Sequence, residues 1–118
     1  MIYVASPYSH PDLAVRGDRY QKVMDYCYHC LLNKINVYSP ILHFHAMSLR
    51  FQLPATQEPY HRHNVEMMEI CEDMHVLALD GWRESRGLAD EIRFFRRWTK
   101  PIKLVNPNDP TDIHPLPR

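Results

Sequence analysis

Short apolar runs typical of β-strands alternate along the chain with longer segments of helical periodicity. The strand-like runs are residues 2–5, 35–38, 75–79 and 102–105. Apolar side chains at helical spacing predict helices that reach residue 32 and span residues 65–71 and 86–98. A strand, a helix and a second strand in close succession favour a right-handed parallel crossover. The pattern therefore predicts an α/β fold of three layers (α-β-α), with a parallel sheet of four to five strands.

The ends of the first helix carry recognisable signals. Ser9 and Asp12 have the spacing of a helix capping box, and Asn33 can end the first helix in a left-handed conformation.

Two segments are less regular than the rest of the chain. Residues 41–63 are rich in His and Pro, and we expect a long functional loop there. Residues 106–118 hold four of the ten prolines. We expect a domain over 1–105 and an extended tail over 106–118 that lies on the surface or reaches a neighbouring subunit.

Composition narrows the class of protein. The chain has 118 residues, 45% of them hydrophobic, and its 14 basic residues balance 14 acidic ones. This balance provides no general attraction for polymeric nucleic acid or an anionic membrane. Apolar runs are too short to span a bilayer, no signal segment is evident, and three cysteines do not form a disulfide framework. We expect a single cytoplasmic domain with a small-molecule partner and no membrane association.

Polar clusters follow the predicted strands. Parallel sheets bind ligands beyond the carboxyl ends of their strands, where the strand order reverses. The clusters there predict a binding site that includes Ser6, Pro7, Tyr8, His43, His45 and Asp80. Trp82 can stack on a base, as can Tyr38 and Phe44, although such aromatic residues are more often structural.

Glu91 is the most conspicuous candidate for chemistry. It lies between Leu88, Ile92 and Phe95 on the apolar face of the last predicted helix. Its neighbours three and four residues away carry no positive charge, so no cation on the same helix can pair with it. This position favours a carboxylate at the floor of a pocket, and the alternative is a boundary glutamate that extends to solvent.

Ser85, Arg86 and Gly87 begin the same helix. A serine hydroxyl, free backbone N–H groups and a glycine that permits close approach form a natural anion site. An ordinary N-cap serine is the alternative interpretation.

Eight histidines raise the possibility of a metal site. His43 and His45, like His61 and His63, are separated by one residue, a spacing found in zinc sites. No recognisable acidic or cysteine ligand accompanies them, so we expect neither a metal nor a cofactor. A metal-dependent hydrolase built on these four histidines remains an alternative.

Three motifs occur in a recognisable order. They are Tyr3-Val-Ala-Ser-Pro-Tyr-Ser-His10, Ser39-Pro-Ile-x-His43 and Gly81-Trp-x-x-Ser85-x-Gly87-x-x-x-Glu91. Together they resemble the nucleoside 2-deoxyribosyltransferase-like superfamily, and most closely a small branch related to 2′-deoxynucleoside 5′-monophosphate N-glycosidases. The resemblance spans most of residues 1–105. It implies a flavodoxin-like sheet, assembly into dimers or larger homo-oligomers, and cleavage or transfer at an N-glycosidic bond.

The resemblance also implies roles for individual residues. Glu91 corresponds to the nucleophile, and Tyr3 to a first-strand tyrosine that positions it. Ser85 matches a serine that holds the 5′-phosphate in relatives that hydrolyse monophosphates, which favours a nucleotide substrate. Asn64 occupies the place of an aspartate that handles the proton of the leaving base. Because an amide cannot protonate a base, Asp80, His43 or His45 is expected to supply that proton.

The sequence thus predicts an N-glycosidase that acts on (2′-deoxy)nucleoside 5′-monophosphates, or a close deoxyribosyltransferase. Cleavage of the C1′–N bond develops oxocarbenium character on the sugar, which a nearby carboxylate stabilises or captures covalently. A non-catalytic nucleotide-binding module, in which Asn64 marks lost turnover, is the alternative from a different class.

Overall fold

A computed structural model describes residues 1–54 and 59–117. Five strands form one sheet in the order β2-β1-β3-β4-β5. They are β1 (Ile2–Ala5), β2 (Val37–Tyr38), β3 (Asp73–Leu77), β4 (Ile102–Asn106) and β5 (Asp109–Pro115). The first four strands are parallel, and β5 pairs antiparallel with β4. The predicted parallel sheet of four to five strands is confirmed, and the antiparallel edge strand β5 is an addition to the prediction.

The described residues form four α-helices and one short 3₁₀ turn. They are α1 (Leu13–Leu32), α2 (Pro40–Arg50), α3 (His61–Ile70), α4 (Arg86–Arg97) and the turn Trp82–Glu84. Side-chain oxygens cap the amino ends of three helices, from Asp12 for α1, Ser39 for α2 and Ser85 for α4. Each cap accepts a hydrogen bond from an N–H group of the first turn that has no partner inside the helix.

The core has two parts, one on each face of the sheet. Val4 and Leu77 pack with Val23 and Cys27 of α1 on the first face. On the second face, Tyr3 packs in a cluster with residues of α3 and α4 that include Met68, Leu88 and Phe95. Successive side chains of a strand point to opposite faces, so β1 contributes to both parts. This arrangement gives the three-layer α-β-α architecture that the alternation predicts.

Two predictions about the ends of α1 are wrong. Asp12, rather than Ser9, is the N-cap, and its carboxylate accepts a hydrogen bond of 2.8 Å from the Ala14 N–H group. Asn33 has a φ of −97°, and the left-handed conformation falls on Lys34, with a φ of 60°. The Asn33 side-chain amide instead donates to the carbonyl oxygen of His29 at 2.8 Å. The side chain of Asn33 thus provides a donor for a carbonyl oxygen in the last turn of α1, and its backbone does not adopt the left-handed conformation.

The predicted long loop over residues 41–63 is also wrong. Helix α2 covers its first part, and α3 begins at His61; residues 55–58 of this segment lie outside the described residues. The dipeptide Ser39-Pro40 is typical both of the end of a strand and of the start of a helix. A serine N-cap followed by proline in the first helical turn is the arrangement observed here.

The proline-rich tail contains regular structure that was not predicted. Residues 109–115 form β5 at the edge of the sheet, next to β4. Pro110 and Pro115 are compatible with an edge strand because one side of such a strand makes no ladder hydrogen bonds. No helix in the described ranges is long and apolar enough to cross a membrane.

Lys100 closes the carboxyl end of α3. Its ammonium group donates to the carbonyl oxygens of Met68 at 3.0 Å, Glu69 at 2.8 Å and Cys71 at 2.8 Å. These carbonyls lie at a helix end, where partners inside the helix are lacking and a positive charge is favourable.

We expect Lys100→Met to lower the free energy of unfolding by about 1–3 kcal/mol, because three carbonyl acceptors, two of them half-buried, lose a charged donor. Urea denaturation measures the change. Lys22→Met is the matched control, because Lys22 forms an exposed pair with Asp18 on α1 whose loss should cost less than about 0.5 kcal/mol. Equal effects of the two substitutions would contradict this account of Lys100.

Candidate active site

A cavity of about 700 Å³ opens beyond the carboxyl ends of β1 and β2 and reaches α4, the helix that follows β3. The loop after β1 forms one wall, α2 and α3 form the second, and α4 from Arg86 to Phe94 forms the third. In the strand order β2-β1-β3, the chain passes from β1 to β2 on one side of β1, and β3 later pairs with the opposite side of β1. The cavity therefore lies at the switch point where sheets of this type bind ligands.

Glu91 lies on the wall of this cavity, one and a half turns into α4. Its carboxylate accepts a hydrogen bond from the Tyr3 hydroxyl, and it has no cationic partner among the described residues. Tyr3 is fully buried, and its ring packs against Tyr38 at 5.8 Å and Phe95 at 6.0 Å between ring centres. Because the ring is held on two sides, the phenol fixes the position of the carboxylate.

The surroundings of Glu91 change its acidity. Burial raises the pKa of this carboxyl group to about 7, and the nearby Asp90 adds to the rise. The hydrogen bond from Tyr3 opposes the shift because it stabilises the ionised form. The same burial raises the pKa of Tyr3 well above its usual value, so the phenol keeps its proton. Near neutral pH the Glu91 side chain is therefore divided between acid and carboxylate.

The amino end of α4 forms another part of the cavity wall. Ser85 is the N-cap, and its hydroxyl oxygen accepts from the Leu88 N–H group at 3.3 Å. Ser85, Arg86 and Gly87 all line the cavity. A methyl group in place of the Gly87 hydrogen would meet no atom of the described chain within 4 Å, so the backbone there is open to a ligand. Ser85 thus caps the helix and also faces the cavity, and the two interpretations of this segment are compatible.

Four further predicted residues line the cavity, namely Ser6, Tyr8, His45 and Asn64. The Tyr8 hydroxyl and His45 Nδ1 form a hydrogen bond of 2.5 Å, and the His45 ring stacks on Tyr20 at 4.0 Å. Burial, with a smaller effect of Arg16, lowers the pKa of His45. These contacts hold the imidazole in one orientation, and its acidity favours the neutral form at neutral pH.

The remaining predicted residues are not among those that line the cavity. Pro7 is fully buried, and Trp82 packs on the core beside α4, with Arg83 over its ring at 4.7 Å. Asp80 borders a smaller cavity beside α1, where Arg19 donates to its carbonyl oxygen at 3.0 Å. Since β3 ends at Leu77, the chain has already turned away from the main cavity when it reaches Asp80.

His43 is exposed and stacks on His63 at 4.8 Å instead of facing the cavity. The sequence pattern predicts His43 and His45 at the same site, because alternate residues of an extended segment point to the same side. In the helix α2, residues two apart point in nearly opposite directions. The same geometry separates His61 from His63 on α3. In the described ranges, no group of three or more His, Cys, Asp or Glu side chains is placed to hold a metal ion, so the arrangement does not support the hydrolase alternative.

An aromatic wall of the cavity was largely missed. It comprises Phe44, Tyr60, His61 and Phe94. Phe44 and Tyr60 lie 5.0 Å apart between ring centres, and His61 and Phe94 lie 6.1 Å apart. The signal that could have identified this wall is the helix start at Ser39-Pro40, because a helix there directs Phe44 and His45 towards the sheet's carboxyl edge.

Fold and site together define a doubly wound α/β domain with a carboxylate-bearing cleft at its switch point. The chain belongs to the family described as Domain of unknown function (DUF1937), which matches residues 1–106. The match ends at the last residue of β4 and leaves β5 outside. No curated protein matches the chain significantly.

Proposed function

We propose that this protein is an N-glycosidase that hydrolyses the N-glycosidic bond of (2′-deoxy)nucleoside 5′-monophosphates, or a close deoxyribosyltransferase, with Glu91 as the nucleophile. The observation that carries the proposal is the carboxylate on the cavity wall, which a buried phenol positions and which no cation of residues 1–54 and 59–117 neutralises. A structural carboxylate in such surroundings would normally have a cationic partner. An unpaired one is suited to meet a positive charge that develops on a substrate.

The order of groups along α4 supports a nucleotide as the substrate. Gly87 and Ser85 lie at the amino end of the helix, Glu91 follows, and Phe94 comes next, all on the cavity wall. At 1.5 Å per residue, Glu91 lies about 6 Å along the axis from Gly87 and about 4.5 Å from Phe94. This order matches the order of parts in a nucleotide. The amino end of α4 is suited to the phosphate because helix amino ends bind anions, Glu91 lies at the level of the sugar, and Phe94 can stack on the base.

The reaction would proceed by two displacements. The Glu91 carboxylate attacks C1′ as the bond from C1′ to the base nitrogen breaks, and the bonding pair leaves with the base. Water then attacks C1′ of the glycosyl ester and releases Glu91, with net retention at that carbon. His45 lines the cavity, and its bond to Tyr8 orients it. In its neutral form it can donate a hydrogen bond to the leaving base as negative charge develops there, and the base takes its proton from solvent. Asn64 can donate a hydrogen bond to the base but not a proton.

Measurement of free base tests the proposal. The protein is incubated with a panel of deoxyribo- and ribonucleoside 5′-monophosphates and with the corresponding nucleosides, and released base is separated by chromatography. We expect base release from monophosphates and much slower release from nucleosides, which lack the group for the amino end of α4. Binding of nucleotides without any base release would instead indicate a non-catalytic nucleotide-binding module.

A further inference from the structure

One flank of helix α1 is apolar along its whole length and yet largely open to solvent. Its members are three or four positions apart, a spacing that keeps side chains on one side of a helix. They form the α1 stripe, which comprises Leu13, Gly17, Tyr20, Met24, Tyr28 and Leu31. Leu13 and Tyr28 are each 60% exposed, and Leu31 is 72% exposed. The α1 stripe carries no charge, and Asp18 and Lys22, which pair with each other, lie on the opposite side of the helix.

The α1 stripe is not the face with which the helix packs on the sheet. That face consists of Val23, Tyr26, Cys27 and Cys30, which are all buried. A helix at the surface of a globular protein needs one apolar face for its own core. A second apolar face that stays exposed along the helix marks an interaction surface.

The α1 stripe is nearly symmetric about residue 22. Leu13 and Leu31 lie nine positions before and after it, and Tyr20 and Met24 lie two positions before and after it. When two copies of a helix pack antiparallel about a two-fold axis, each residue meets its counterpart in the other copy. The ring of Tyr28 then falls, within one position, opposite Gly17. A methyl group added at Gly17 would meet no atom of the described chain within 4 Å, so there is space for the ring.

Charges at the two ends of α1 fit the same arrangement. Asp12 precedes the first turn and Lys34 follows the last, and neither forms an ion pair within residues 1–54 and 59–117. An antiparallel copy brings Lys34 of one chain beside Asp12 of the other at both ends of the contact. The two helix dipoles also run in opposite directions, which is favourable. An unrelated partner would require neither this symmetry nor these matched charges.

We propose that the α1 stripe forms the interface of a homodimer, in which the α1 helices of two copies pack antiparallel about a two-fold axis. The stripe lies outside the residues that line the cavity, and the inference does not depend on the proposed reaction. One helix from each copy makes an interface at the small end of the range for specific complexes, so the dimer should form reversibly at micromolar concentrations.

Sedimentation velocity of the full chain between about 1 and 300 μM measures this association. We expect Leu31→Lys to weaken dimerisation by about thirtyfold or more, because each dimer would bury two added charges in an apolar contact. Ile70→Lys is the matched control. Ile70 is 66% exposed on α3, on the other face of the sheet, so the same added charge there should leave association unchanged.

A charge swap tests the antiparallel pairing. Leu13→Glu alone should weaken the dimer as Leu31→Lys does. With both substitutions in one chain, the glutamate of one copy meets the lysine of the other, and association should return to within about threefold of the wild type. Weakening by each single substitution and recovery in the double variant would establish the interface. A wild type that stays monomeric, a dimer that Leu31→Lys leaves intact, an equal effect of Ile70→Lys, or a double variant that stays monomeric would each overturn it.

Discussion

Replacement of Glu91 by glutamine should reduce base release from nucleoside monophosphates by about 10³-fold or more, because the reaction loses its nucleophile. Glutamine has nearly the same shape and can still accept a hydrogen bond from Tyr3. Nucleotide affinity should therefore change little, and the loss should appear in kcat and not in KM. Single-turnover assays over a range of substrate concentrations separate the two quantities.

Stability measurements complete this test. Since burial of Glu91 raises its pKa, the neutral glutamine relieves a cost of burying charge, and Glu91→Gln should be at least as resistant to thermal unfolding as the wild type. Glu66→Gln is the matched control, because Glu66 is exposed on α3 and does not line the cavity. A variant at Glu91 that keeps more than about a tenth of the wild-type kcat would eliminate the nucleophilic role.

The sequence was sufficient to predict the sheet because its strands are short, apolar and separated by clear breaks. The run from Ile2 to Ala5 is buried from Tyr3 onwards and begins almost where the pattern places it. Helix α4 was equally clear, since Leu88 and Phe95 mark an apolar stripe that the structure buries. The position of Glu91 on the cavity wall follows from that stripe, although its contact with Tyr3 joins residues 88 positions apart and was expected only from the family resemblance.

Helix α2 shows where local pattern fails. Its polar and aromatic residues do not form a simple apolar stripe, because part of its surface packs on α1 and part lines the cavity. His45 is buried by Tyr8 and Tyr20, both distant in sequence, and nothing within residues 41–50 indicates this burial. Edge strand β5 was missed for a similar reason. Its pairing with β4 is a tertiary contact that its prolines conceal.

The acidic limb of the pH profile provides the most specific test of the pair formed by Tyr3 and Glu91. A nucleophilic carboxylate must be ionised, and the pKa of Glu91 is about 7, so kcat/KM of the wild type should rise with pH and level off above about pH 8. The hydrogen bond from Tyr3 lowers this pKa. Its removal in Tyr3→Phe must therefore raise the pKa and move the limb to higher pH.

A hydrogen bond to a charged group contributes about 1.5–3 kcal/mol, and one pKa unit corresponds to about 1.4 kcal/mol, so we expect a shift of about one to two units. At pH 7 Tyr3→Phe should lose about five- to fiftyfold in kcat/KM and recover much of it near pH 9. Tyr26→Phe is the control, because it removes a buried phenol that bonds His75 on the other face of the sheet. A loss of stability alone would affect both variants, whereas only the variant that touches Glu91 can displace the limb. An unmoved limb in Tyr3→Phe would mean that the phenol does not control the ionisation of the carboxylate.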